Sequence, residues 1–181
     1  MQLKDAVSDQ DHIQGLKKAP LELVEYGDYQ CSSCAQSYLV VKGVQRQLGK
    51  KIRFIFRNFP LTEIHPDAFG AAMAAEAAGA QHKFWEMYDL LFKNQLNLSY
   101  DDLLNYAEEL GLNMNKFGQD IRSASLQAKI EADFEGGTNS GVSGTPAFYI
   151  NGEKYDGDWE NENLLEDLEK ILLTAASTVN S

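Results

Sequence analysis

The sequence predicts an α/β fold in which a small sheet carries an inserted, all-helical segment. Three observations lead there. Two short apolar runs in the first third of the chain read as strands, with a helix between them. Residues 62–135 then show helical periodicity throughout. Strand signals return after residue 141 around an Asn-Gly turn, and a last amphipathic helix follows.

The first strand is "PLELVEYGDYQ". After Pro20, the residues Leu21, Leu23, Val24 and Tyr26 form the short apolar run of a strand buried on both faces, and Gly27-Asp28 breaks it. From Cys31 the chain sets Ala35, Tyr38, Leu39, Val41, Val44 and Leu48 at helical spacing, and Gly49 stops the helix. In "KKIRFIFRNFP", Ile52, Phe54 and Phe56 alternate with Arg53, Ile55 and Arg57 as a second strand, which Pro60 ends.

The helical block begins with "HPDAFGAAMAAEAAGAQ", where Pro66 suits a first helical turn. "HKFWEMYDLLFKNQ" places Phe84, Tyr88, Leu91 and Phe92 on one face, with Trp85 expected in the core of the block. Ser99 and Asp102 form a capping pair for a helix that closes at Gly111. "NKFGQDIRSASLQAKIEADFE" reads as one further helix. Ala147 to Ile150, Asn151-Gly152 and Lys154-Tyr155 then make a hairpin. Leu164, Leu165, Leu168, Ile171 and Leu172 form the buried face of the final helix, and the acidic run 158–169 its solvated side. The expected division is one sheet-bearing unit from residues 1–61 and 138–181, interrupted by a helical insertion at 62–137.

Composition narrows the function. The chain has 181 residues and a net charge of −11, which disfavours nucleic acid and anionic membrane surfaces as partners. No 18-residue apolar run suggests membrane insertion. The N-terminal segment lacks the apolar core of a signal peptide. As written, the sequence therefore points to the cytoplasm, with a trimmed, exported mature form as the alternative.

Cys31 and Cys34, the two cysteines of the chain, stand in "GDYQCSSCAQS". As a staple the pair closes a four-residue loop, which contributes roughly 2 kcal/mol in a chain long enough to bury a core unaided. As half of a zinc site it lacks a second cysteine pair, and His12, His65 and His82 do not share metal-ligand spacing. As a reagent it has the right context, a strand end followed by a helix start. There the unpaired N–H groups and the helix dipole stabilise a Cys31 thiolate, which becomes the attacking sulfur. Cys34, one turn on, faces Cys31 and can close or resolve a disulfide. Ser32 and Ser33 bring no charge, though their hydroxyls can donate to the sulfur. A Cys31 pKa of about 5–7 and a potential of about −250 to −170 mV are expected on these grounds. His65 is expected to be an exposed histidine at a helix start, with an approach to the cysteines as the alternative.

The stretches "LVEYGDYQCSSC", "FRNFP", "KFWEMYDLLF" and "SGTPAFYINGEKYDG" together resemble the DsbA-like branch of the thioredoxin superfamily, from about Asp11 to Leu172. The resemblance implies a thioredoxin fold with the helical domain inserted between the second strand and a cis-proline hairpin. It implies Cys31 as nucleophile, Cys34 as resolving cysteine and Glu25 as a buried acid that transfers protons. Thr145-Pro146 takes the position of the cis-proline that offers backbone groups to a substrate peptide. Ser32-Ser33 departs from the family, whose members commonly have proline, and often histidine or tyrosine, between the cysteines. That departure bears on the redox potential rather than on the reaction type.

The function so implied is thiol–disulfide exchange with protein or peptide partners, without cofactor or metal. Electrons pass to or from a redox partner such as thioredoxin, glutathione or a membrane oxidase. Two alternatives stand beside it: a glutathione-linked peroxidase or transferase on a similar fold, and a redox-inactive peptide-binding module.

Overall fold

A computed structural model describes residues 1–179. The strands are β1 (His12–Gly15), β2 (Leu21–Gly27), β3 (Ile52–Asn58), β4 (Ala147–Ile150) and β5 (Glu153–Tyr155). They form one mixed sheet in the order β1-β3-β2-β4-β5. The central strand β2 runs parallel to β3 and antiparallel to β4, and β1 and β5 are antiparallel edges. The helices are α1 (Ser32–Leu48), α2 (Ala68–Gly79), α3 (Phe84–Lys93), α4 (Tyr100–Glu109), α5 (Met114–Asp120), α6 (Ala124–Ser140) and α7 (Asn163–Val179). The parallel β2–α1–β3 unit is the crossover that the apolar runs require.

The period of two along β2 sends Leu21, Leu23 and Glu25 to one face and Val24 and Tyr26 to the other. The first face meets α1, α3 and α7 in a large cluster that includes Tyr38, Phe54, Phe56, Tyr88, Phe92, Leu164 and Leu168. Leu103 and Phe117 of the insertion belong to that cluster too, so cap and sheet share one core. On the second face Val24, Tyr26, Ile55, Phe59 and Tyr149 are buried together. Gly137 lets α6 lie directly on this face: a Cβ there would stand 2.8 Å from the Phe59 ring and 2.9 Å from that of Tyr26.

Local signals worked where they were strong. The Ser99–Asp102 capping box forms in full. Asn151 and Gly152 both take positive φ, as the tight β4–β5 turn requires. The structure also departs from the sequence reading. Strand β1 was not expected; Ile13 is its one large apolar residue, and it pairs only with β3. The stretch after Asn113 is two helices, because Ser123 caps α6 and Ile121 tucks into the core between them. Leu39 is 67% exposed, one residue off the 34-37-38-41-44-48 stripe that α1 buries. Pro66 precedes Asp67, the cap of α2, rather than lying inside the first turn. Helix α6 runs unbroken through residue 137. No helix among the described residues is long and apolar enough to cross a membrane.

Candidate active site

The end of β2 and the start of α1 place the cysteines. Cys31 is the N-cap of α1, in extended conformation, and its N–H donates to the Asp28 carbonyl at 3.2 Å. Its side chain is 9% exposed, whereas Cys34, inside the first turn, is 0% exposed. That difference decides which sulfur another molecule can reach.

The Cys34 thiol donates to the Cys31 sulfur, and this is the largest cause that brings the Cys31 pKa from 9.0 down to about 5. Burial opposes the shift; the backbone N–H groups of Ser33 and Cys34 at the helix start assist it. Ser33 thus acts through its backbone, not through the hydroxyl that the sequence suggested. Cys34 moves the other way. Burial, the hydrogen bond to Cys31 and the Glu25 charge hold it protonated. One sulfur is an accessible thiolate and the other a shielded thiol.

Glu25 lies fully buried at the middle of β2, on the α1 side of the sheet. Ser37, one turn beyond Cys34, donates to its Oε1 at 2.6 Å, and Oε2 has no partner. Burial is the main reason that its pKa rises from 4.5 to about 8. A carboxyl of this kind can take a proton from a group that ionises beside it near neutral pH.

Thr145–Pro146 is a cis peptide leading into β4. When Cys31 is protonated, its thiol donates to the Thr145 carbonyl at 3.5 Å. The buried Thr145 hydroxyl has no hydrogen-bond partner of its own and is a donor on which the thiolate can draw. Thus Cys31, Cys34, Glu25 and Thr145 converge, Pro146 adjoins them, and Ser32 and Ser33 form the first turn of the helix behind Cys31.

Sequence reasoning missed the residues that fix this arrangement. Asp28 read only as a strand breaker. It is 1% exposed, and its backbone N–H points at Cys34 Sγ at 3.5 Å. Its carboxylate accepts from the N–H groups of Gln30 and Leu61 and faces His65 Nδ1 at 2.8 Å. His65 is therefore not a free surface histidine; it ties the loop after β3 to the turn before Cys31. Gln30 and Asp67 bond each other reciprocally, and Gln95 from the cap donates to the carbonyls of Tyr29 and Cys31. No local pattern marks such residues, because each bonds across 30 or more positions of sequence.

His12 lies elsewhere: it stacks on Phe84 and bonds Glu76 at 2.8 Å. Among the described residues no group of three or more histidine, cysteine, aspartate and glutamate side chains is placed to hold a metal ion.

Comparisons with known proteins bear on the family and the fold. The family model described as thioredoxin matches residues 7–170. A thioredoxin-like oxidoreductase from Silicibacter pomeroyi superposes with a TM-score of 0.80 at 22% identity, covering 94% of each chain. The thiol-disulfide exchange protein alpha-DsbA2 from Wolbachia pipientis superposes with a TM-score of 0.78 at 20% identity, covering 91% of this chain and 88% of that one. A curated relative, Na(+)/H(+) antiporter NhaA 1 of Salinispora arenicola, is 42% identical over 86% of this chain and 24% of its own length. The chain spans about a quarter of the length of the curated relatives it matches.

Proposed function

The chain belongs to the thioredoxin family, with a DsbA-like sheet and helical cap, and from that premise we propose that it is a thiol–disulfide oxidoreductase acting on protein or peptide substrates. One observation carries the reading. A partly exposed Cys31, ionised at about pH 5, stands in front of a buried, protonated Cys34 on the same helical turn. The thiolate is the form that attacks, and its partner is placed to finish the exchange.

In the reducing direction Cys31 Sγ attacks one sulfur of a substrate disulfide. An S–S bond forms between Cys31 and substrate, and the first substrate thiolate leaves. Cys34 then gives up its proton, for which Glu25 is the acceptor within the site, and attacks Cys31 Sγ. The Cys31–Cys34 bond forms, the second substrate thiolate leaves, and two electrons have moved to the substrate. Oxidation of a substrate dithiol is the same path reversed. The longer relatives are named as ion antiporters; this reading concerns the thiol pair within the quarter that the chain spans.

Limited alkylation and two variants test the reading. A limiting amount of iodoacetamide should label Cys31 before Cys34 in the reduced protein. Cys34→Ser should trap Cys31 in a mixed disulfide with substrate, and Cys31→Ser should abolish exchange. Full turnover by Cys34→Ser would favour glutathione-linked chemistry, and full function in Cys31→Ser a redox-inactive binding module.

A further inference from the structure

The charges of this acidic chain are not spread evenly. At the end of the sheet where β2 and β3 begin, three segments come together: the β1–β2 loop, the last turn of α1 and the 3-10 turn Gly49–Lys51. Gln45 on α1 donates to Gln14 on β1 at 2.8 Å, and Arg53 at the start of β3 donates to the Lys17 carbonyl at 2.7 Å. Gly15, at φ 110°, lays the loop against β3 so closely that a Cβ there would stand 2.5 Å from the Ile52 carbonyl oxygen. The Ala19 N–H then donates to the Leu16 carbonyl at 3.0 Å, which closes a turn with Lys17 and Lys18 at its corners.

This end carries Lys17, Lys18, Arg46, Lys50 and Lys51, all exposed, with Lys42 and Arg53 at its margin. The chain has 27 acidic residues against 16 lysines and arginines, so a carboxylate is easy for a cation to find. Elsewhere Arg57, Lys83, Lys116, Lys129, Lys154 and Lys170 have each found one. Here Lys17, Lys42 and Arg53 pair with Asp9, Asp89 and Glu22. Lys18, Arg46, Lys50 and Lys51 form no ion pair among the described residues. Glu162, which lines a groove beside Arg46, and Glu153, on the far edge strand β5, do not engage them.

Leu16 is an observation of a second kind. It opens the Lys17-Lys18 turn and is 51% exposed, an apolar side chain held out beside uncompensated positive charge. The surface of a bilayer accepts both: lysines meet the phosphates, and a leucine enters the boundary beneath them. A nucleic acid would take the lysines but offers the leucine nothing, and residues 14–20 and 42–53 contain no aromatic ring on which a base could stack.

We propose that this basic end docks the protein on a bilayer surface rich in anionic phospholipid, with Leu16 entering the headgroup boundary. The net charge of −11 does not prevent this, because charges farther from the surface than a Debye length of about 8–10 Å are screened. The geometry also sets the orientation. Cys31 caps the opposite end of α1, whose 17 residues span about 25 Å. Docked by its basic end, the protein turns the cysteine pair away from the bilayer. The docking is independent of what the cysteines do.

Sedimentation with vesicles of equal parts phosphatidylcholine and phosphatidylglycerol, against vesicles of phosphatidylcholine alone, tests the proposal. Each unpaired lysine or arginine near an anionic surface contributes about fivefold, so the mixed vesicles should bind at least about a hundredfold more tightly at low salt. Sodium chloride at about 0.5 M should release the protein. Lys18→Glu with Lys50→Glu should weaken binding at least about thirtyfold. Lys93→Glu with Lys116→Glu changes the net charge equally but lies on α3 and α5, and should weaken it less than about threefold. Leu16→Ser should weaken it about fivefold, and that loss should persist as salt is raised. Iodoacetamide should label Cys31 as fast in the bound protein as in the free one. Dithiothreitol exchange should be the same in every variant, so that failure of the docking leaves the exchange reading untouched. Equal binding to the two kinds of vesicle, or equal weakening by the two double variants, would overturn the proposal. Protection of Cys31 in the bound protein would put the cysteine end on the bilayer and overturn it as well. Tighter binding to a DNA duplex than to the mixed vesicles would assign the basic end to nucleic acid instead.

Discussion

Ser37 Oγ donates to Glu25 Oε1 across 2.6 Å beneath the cysteine pair, and it is the hydrogen-bonding group that steadies this buried carboxyl. The bond favours the charged form, against burial that pushes the Glu25 pKa up to about 8. Charged Glu25 is the form that can accept the Cys34 proton, so resolution of a mixed disulfide should accelerate as pH rises toward 8. Removing the bond removes a charge-assisted interaction of about 1.5–3 kcal/mol. Ser37→Ala should therefore move the midpoint up by at least about one pH unit and slow resolution at pH 7 about tenfold. Stopped-flow decay of a preformed Cys31 mixed disulfide measures it; an unshifted profile would remove Glu25 from the proton path.

Folding stability should respond to pH differently in the two redox forms. Cys31 in the reduced protein has a folded pKa of about 5 against 9.0 for the free group. A depressed acid stabilises fully above the unfolded value and loses its contribution as pH falls through the folded one. The thiolate thus adds stability progressively between pH 5 and 9. Glu25 has the opposite sign: its pKa is raised from 4.5 to about 8, so its contribution is complete below 4.5 and is lost as pH rises through 8. In the disulfide form the Cys31 contribution vanishes and that of Glu25 remains. Urea unfolding from pH 5 to 9 should show the reduced form gaining on the oxidised form as pH rises. A constant difference would mean that Cys31 titrates normally.

Asp28 is predicted to be a structural pivot of the site. Asp28→Ala leaves the part-buried N–H groups of Gln30 and Leu61 without this acceptor, at up to about 1–3 kcal/mol each. A loss of about 2–4 kcal/mol in denaturant unfolding is expected, together with faster alkylation of Cys34 as the turn loosens. Asp28→Asn retains one acceptor oxygen and should lose less. Wild-type stability in Asp28→Ala would show that water replaces the carboxylate at no cost.

These three predictions divide along what the sequence could reveal. Cys31 and Cys34 sit where a strand end and helical spacing place them, and Glu25, on the same segment, is legible only through the resemblance to the DsbA-like branch. The Asn151-Gly152 turn and the Ser99–Asp102 cap are equally local, and both formed as read. Asp28, Gln95 and His65 act through partners that the fold brings from elsewhere, and Ser37, though on the same segment as Glu25, is a short polar side chain with no periodic signature. Strand β1 was hidden for a related reason. Its flank is held by the Asp11–Arg57 ion pair, 2.7 Å across two segments 46 residues apart, rather than by an apolar stripe.

The redox potential follows from how firmly the fold holds the Cys31 thiolate. A thiol pKa near 7 accompanies a potential of about −270 mV in thioredoxin, and one near 3.5 accompanies about −120 mV in a strong oxidant. Cys31, at about 5, falls between them. Interpolation puts this protein at about −200 to −170 mV, toward the oxidising end of the range expected from the sequence. The stabilising groups are the Cys34 thiol, the backbone N–H groups of Ser33 and Cys34, and Thr145. Since Ser33 contributes backbone rather than hydroxyl, replacing both Ser32 and Ser33 by alanine should move the potential by less than about 30 mV, the equivalent of 1.4 kcal/mol. Equilibration against glutathione buffers gives both values. A parent potential below about −240 mV would mean that the thiolate is less stabilised than the geometry requires. A drop of 60 mV or more in the double variant would return the serine hydroxyls to the site.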